Sequence, residues 1–169
     1  MIKGKEIRLK REPPDHQAKL VYDAEVALES WNHTIADHDE AIEFVTNVMN
    51  LPLIHDKYRT PLRKLVDVGI RAPHATTSLG GEDGMYIAPC HLRQVTVLHE
   101  LSHVIQFRKY KKYRFPGHGW TFTSIYLDVV RAALGKKAHA TLLKSFIDHE
   151  VKYLPEPLTK LQNDRKIRL

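Results

Sequence analysis

Cysteine is all but missing. Cys90 stands alone among 169 residues, which excludes an intramolecular disulfide and, with no second thiol, a metal site built from cysteines. The remaining reading of Cys90 is a buried or incidental thiol. No apolar stretch approaches the roughly 20 residues of a membrane span. The opening Met1-Ile2-Lys3-Gly4-Lys5-Glu6-Ile7-Arg8 has no hydrophobic segment of a secretion signal. A cytoplasmic location without a membrane partner is therefore expected. Repeats and low-complexity tracts are also lacking. What is present is an ordinary globular composition, 43% hydrophobic and 27% charged with a net charge of +6. The length suits one domain with a real core.

Within it, His99-Glu100-Leu101-Ser102-His103 is the most informative run. On a helix, histidines at i and i+4 share a face and can reach one metal ion. The intervening glutamate then points at the open side of the ion, where it can take a proton from a metal-activated water. A random chain of this composition holds such a quintet in about 4% of cases, so its surroundings decide. From Leu92 to Arg108 there is no Gly or Pro, and Val95, Leu98, Leu101, Val104 and Ile105 recur at helical spacing. Apolar residues cover most of the circumference, which predicts a buried helix. Thr96, His99, His103 and Gln106 share the remaining polar stripe.

A catalytic zinc takes three protein ligands and a water. Gln106 and Lys109 stand where a metzincin would place its glycine and third histidine, and no glutamate occurs between Glu100 and Glu150. The segment Pro116-Gly117-His118-Gly119-Trp120-Thr121-Phe122 follows instead, leading into a helix with Phe122, Ile125, Tyr126 and Val129 on one face. His118 is the third ligand on this reading, with Asp128 in reserve.

These residues carry a resemblance. His99-Glu100-Leu101-Ser102-His103, then His118-Gly119-Trp120-Thr121-Phe122 and Tyr126-Leu127-Asp128-Val129-Val130, is similar to the SprT/Spartan-type zincins. It resembles still more a family of small metallohydrolases of bacteria and their phages. The resemblance spans about Gly81 to Leu134. It implies that His99, His103 and His118 bind Zn2+ and that Glu100 is the catalytic base. By analogy with the SprT/Spartan relatives it suggests proteolysis of DNA-associated proteins.

The rest of the chain reads as a frame for that core. Residues 1–14 are charged and end in Pro-Pro, a tail or short edge strand. Asp15 is placed to cap a helix running to about Trp31. A second helix, about Asp39 to Met49, is closed by Pro52. Leu65–Ile70 and Met85–Ala88 are strand-like, and the Gly-rich stretch from Thr76 to Gly84 predicts an antiparallel hairpin between them. Gly135 breaks the helix that follows His118, and a last helix runs from about Lys137 to Tyr153 before Pro155 and a basic tail. The expected architecture is one α+β domain over residues 1–169, with flexible ends 1–14 and 155–169. It is a compact zincin-like metallopeptidase fold, with helices around a small antiparallel sheet and a central metal helix. Met85–Ala88 is the strand expected to receive an extended peptide substrate by strand addition.

The positive charge is concentrated. Arg108, Lys109, Lys111, Lys112 and Arg114 alternate with Phe107, Tyr110, Tyr113 and Phe115, a pattern that can offer phosphate contacts and stacking faces to single-stranded DNA. Two functions follow from these readings. The first is a zinc-dependent hydrolase, foremost a peptidase acting on a peptide or protein substrate with Glu100 activating the water. The alternative is a nucleic-acid-binding or assembly protein with a structural zinc site. Three ligands beside a suitably placed glutamate favour the first. For the oxyanion, Tyr86, His91 and Tyr126 are the candidates.

Overall fold

A computed structural model describes residues 15–111 and 115–154. The expected flexible ends, 1–14 and 155–169, and the cations Lys112 and Arg114 lie outside the described residues. Among the described residues five helices and three short strands make an α+β fold, in the order α1 (Ala18–Glu25), α2 (His38–Asn50), α3 (Pro52–Tyr58), β1 (Asp67–Ile70), β2 (Leu79–Gly80), β3 (Gly84–Ile87), α4 (Gln94–Lys109) and α5 (Trp120–Asp148). No helix among the described residues is long and apolar enough to cross a membrane.

α4 is the axis of the core. Val95 and every residue from Val97 to Gln106 are buried, so the helix is enclosed all round, as its nearly continuous apolar circumference predicts. α5 packs along one side and β2 and β3 along another. Val68, Met85 and Ile87 turn into the same core.

The sheet corrects one expectation. Strands Asp67–Ile70 and Gly84–Ile87 are not an antiparallel hairpin but a parallel pair, with Val68 opposite Met85 and Ile70 opposite Ile87. β2 runs antiparallel to β3 on its other side, so the strand order is β1-β3-β2 and the sheet is mixed. The Gly-rich turn signal belongs to the β2–β3 hairpin, where the Gly81 N–H donates to Gly84 O at 2.9 Å. The segment 71–83 thus serves as the long crossover that parallel strands require. It follows that Met85–Ala88 is no free edge. β3 is central, and the outer strand beside α4 is β2.

Helix boundaries differ in three places. Pro52 does not simply end α2; it occupies the first turn of α3, where its missing N–H costs nothing. The first helix is shorter than expected, with Val26–Trp31 tightening into a 3-10 turn, and Asp15 does not cap it. The break at Gly135 is present as a kink inside α5 at φ +90°, a backbone region glycine enters without strain. α5 then ends at Asp148 rather than Tyr153.

Arg108 closes the far end of α4. Its guanidinium donates to the carbonyls of Pro61, Lys64, Leu65, Glu82 and Asp83 at 2.7 to 3.3 Å, binding the loops before β1 and β3 to the helix. Lys111 pairs with Glu82, and the Lys109 ammonium sits over the rings of Tyr58 and Tyr110. Three of the five clustered cations are thus engaged within the chain.

Candidate metal centre

His99 and His103 leave α4 one turn apart, and His118 meets them from the loop ahead of α5. All three are buried, and they offer ligand atoms within 4.8 Å of one another. The described residues thus hold three histidines close enough to bind a metal ion. His99 Nε2 lies 3.2 Å from His103 Nε2 and 3.1 Å from His118 Nε2. Tetrahedral ligands on bonds of about 2.0–2.1 Å stand roughly 3.3 Å apart, so these separations are of the size one ion imposes.

The outer ring nitrogens show why the lone pairs converge. His99 Nδ1 is 2.5 Å from Glu25 Oε1, and His118 Nδ1 is 2.6 Å from Asp15 Oδ2. An ionised carboxylate only accepts, so each Nδ1 carries the proton. In the neutral tautomer both Nε2 atoms are then bare and face each other. Metal-free, this is tolerable only if His99 becomes an imidazolium and shares one proton between two neighbours. The titration tendencies follow that pattern. Burial lowers His99, but the Glu25 carboxylate and its hydrogen bond, with Glu100 and Asp15, raise it overall. Burial and then the charge on His99 push His103 well down and lower His118. A cation on the three lone pairs resolves the conflict for all of them, and carboxylates behind the ligating rings are the usual support of such sites.

His103 lacks that support. Its buried Nδ1 meets no carboxylate among the described residues, and the side chain that acts on the ring by hydrogen bonding is Gln106. Gln106, on the next turn, has its amide nitrogen committed to Pro116 O at 3.1 Å and Thr121 Oγ1 at 2.8 Å. Ring packing holds His103 instead. Phe122 stacks on it with centroids 4.3 Å apart and also borders His99 and His118, at 4.8 and 5.0 Å.

Glu100 is 7% exposed. Burial raises its carboxyl above the usual range; His99 and a backbone hydrogen bond from Gly80 pull it back, while Glu25 adds to the rise. Gly80 is held to glycine by contact. A Cβ there would collide with the Glu100 carbonyl and stand 2.8 Å from His103 Cβ, so β2 lies flat against the turn that carries the site.

The structure brings together His99, Glu100, His103 and His118 as the sequence predicts. It does not bring Asp128. Two residues beyond the inward Tyr126, that carboxylate turns away and accepts from Tyr58 Oη at 2.5 Å and Lys57 Nζ at 2.6 Å. Tyr86 lies over Gly69 and donates to Asp67 at 3.1 Å. His91 stands in the 3-10 turn before α4. Tyr126 is fully buried behind His99. Cys90 is exposed, outside the metal cluster.

Three site residues escape a local reading: Asp15, Glu25 and Tyr22, all from the first helix and its approach. Asp15 also accepts from the His118 N–H at 3.0 Å, and Gln17 Nε2 donates to His118 O. Tyr22 stacks on His99 with centroids 5.4 Å apart and rings within 10° of parallel, and meets His118 edge-on at 5.1 Å. Burial, then the carboxylates of Glu100, Glu25 and Asp15, push its phenol up to about 12. Capping logic assigns Asp15 a role one turn away, and nothing in local spacing pairs Glu25 with a residue 74 positions on.

Asp15→Asn and Glu25→Gln are each expected to weaken metal binding by about 10- to 100-fold while the fold persists. Competition against a chromogenic chelator measures it. Unchanged affinity in both would reduce the two carboxylates to ordinary buried partners. No protein-family model, curated protein or solved structure matches the chain.

Proposed function

We propose that this chain is a zinc-dependent hydrolase that cleaves peptide bonds, with His99, His103 and His118 as ligands and Glu100 as general base. The observation that carries the reading is the convergence of three imidazole Nε2 atoms beside a buried glutamate on the same helix. Imidazole donors suit zinc, and three protein ligands leave a coordination position open. Among the described residues no further His, Cys, Asp or Glu joins them, which speaks against a closed structural site. Once bound, the ion supplies Lewis acidity, making a water more acidic and a carbonyl more electrophilic.

Glu100 then takes the proton of the attacking water. Poor solvation makes its carboxylate a stronger base than an exposed one, in keeping with the direction of its shift. β2 offers the outer edge nearest α4, so an extended peptide would pair with Leu79–Gly80 rather than with β3. The DNA-binding alternative draws less support, because Arg108 and Lys111 already answer partners inside the chain.

Purified protein is expected to hold one equivalent of zinc and to cleave casein, losing activity to 1,10-phenanthroline and regaining it with added zinc. Zinc-loaded protein that leaves casein and other unfolded proteins intact would overturn the peptidase reading.

A further inference from the structure

We infer that Tyr22 is the residue that steadies the negative charge developing on the substrate's carbonyl oxygen, its hydroxyl serving as hydrogen-bond donor. This rests on the hydrolase reading above and adds a catalytic residue to it. The chemistry calls for such a donor. As water adds to the amide, a C–O bond forms, the π pair moves onto the carbonyl oxygen, and the water proton goes to Glu100. The tetrahedral alkoxide then collapses. Its electron pair re-forms C=O, the C–N bond breaks, and the proton on Glu100 passes to the departing nitrogen, leaving a carboxyl and an amine product. A donor already fixed beside that alkoxide lowers the barrier without reorganising.

The other tyrosines near this part of the fold are committed or enclosed. Tyr58 donates to Asp128 and Tyr86 to Asp67, and Tyr126 is 0% exposed. Tyr22 lies against two of the three imidazoles and is nonetheless 51% exposed. Its hydroxyl makes no hydrogen bond among the described residues, so its donor is open to an incoming group. Its ring is fixed, stacked flat on His99, and Glu25 on the next turn of the same helix grips that histidine. Position and orientation are thus set by the ligand itself. Tyr22 thus stands between solvent and imidazoles that are themselves only 3% (His99) and 7% (His118) exposed.

Tyr22→Phe keeps the stacked ring and removes only the hydroxyl. Zinc-loaded wild type and variant would be compared by elemental analysis, by cleavage of fluorescein-labelled casein, and by calorimetric binding of an N-phosphorylated dipeptide. The charged tetrahedral oxygens of that probe imitate the addition species. Zinc content is expected to be equal, kcat to fall by about 10² to 10³ with KM little changed, and the dipeptide to bind about 10- to 100-fold more weakly. Unchanged binding and cleavage would overturn the inference, leaving Tyr22 as a cover for His99. Zinc loss from the variant would overturn it in favour of a ligand role, and a wild type that fails to hold the dipeptide would overturn it by showing no stabilisation of the tetrahedral oxygens. If wild type binds the dipeptide but leaves casein intact, the peptidase reading fails alone, and the variant's dipeptide affinity still decides Tyr22.

Discussion

His118→Ala is expected to strip the protein of its metal. The two histidines that remain sit on one helix and can satisfy only half of a tetrahedral shell. Binding free energies of about 10–16 kcal/mol spread over four ligands come to about 3 kcal/mol each, so losing one costs on the order of a hundredfold or more in affinity. Among the described residues no further His, Cys, Asp or Glu stands with the three ligands. Asp128 is held by Tyr58 and Lys57, and Asp15 would lose its imidazole partner while keeping only the backbone N–H. Elemental analysis after dialysis against a weak chelator checks it. Wild-type stoichiometry in the variant would show that His118 is not a ligand.

Glu100→Gln should have the opposite signature, a full site with no chemistry. The amide matches the carboxylate in size and can still accept from Gly80, whose backbone hydrogen-bonds this side chain, but it cannot take a proton from water. General-base losses are on the order of 10² to 10⁴. Zinc content should hold at the wild-type level, and casein cleavage should fall by that factor. A variant that cleaves at the wild-type rate would remove Glu100 from the mechanism. Together the two substitutions separate holding the ion from using it.

The sequence makes α4 legible because a helix enclosed on all sides writes its burial into nearly every position, and a histidine pair on its one polar stripe stands out. His118 is legible for a related reason, since the glycines at its flanks isolate it in a loop just ahead of a new apolar stripe. The carboxylates behind these ligands are not. Asp15 obeys the residue preferences of a helix cap, and what diverts it to His118 is a contact made 103 positions away. Strand pairing fails for a similar reason. Short strands state which residues are apolar but not their partners, and a turn signal names the nearest hairpin only if every strand is seen. β2, two residues long, leaves too faint a trace. Arg108 shows the same limit for charge. Composition counts it as part of a basic surface, whereas it is spent on carbonyls that only the folded chain brings together.

The reach of the first helix has a consequence for when activity can arise. Gln17 exchanges hydrogen bonds with Lys152 across 135 positions, and Asp15 and Glu25 reach their imidazoles across 103 and 74. Contacts this remote close late, because the entropy of forming so large a loop is spent before they return anything. The metal helix, the strands and α5 can collapse together first, with the imidazoles present but unaligned. Alignment of the three imidazoles is then expected to be the final event of folding. On the proposed hydrolase reading, a protein assembled in that order is latent through its vulnerable stages, unable to attack its own half-folded neighbours until the first helix has latched onto the last.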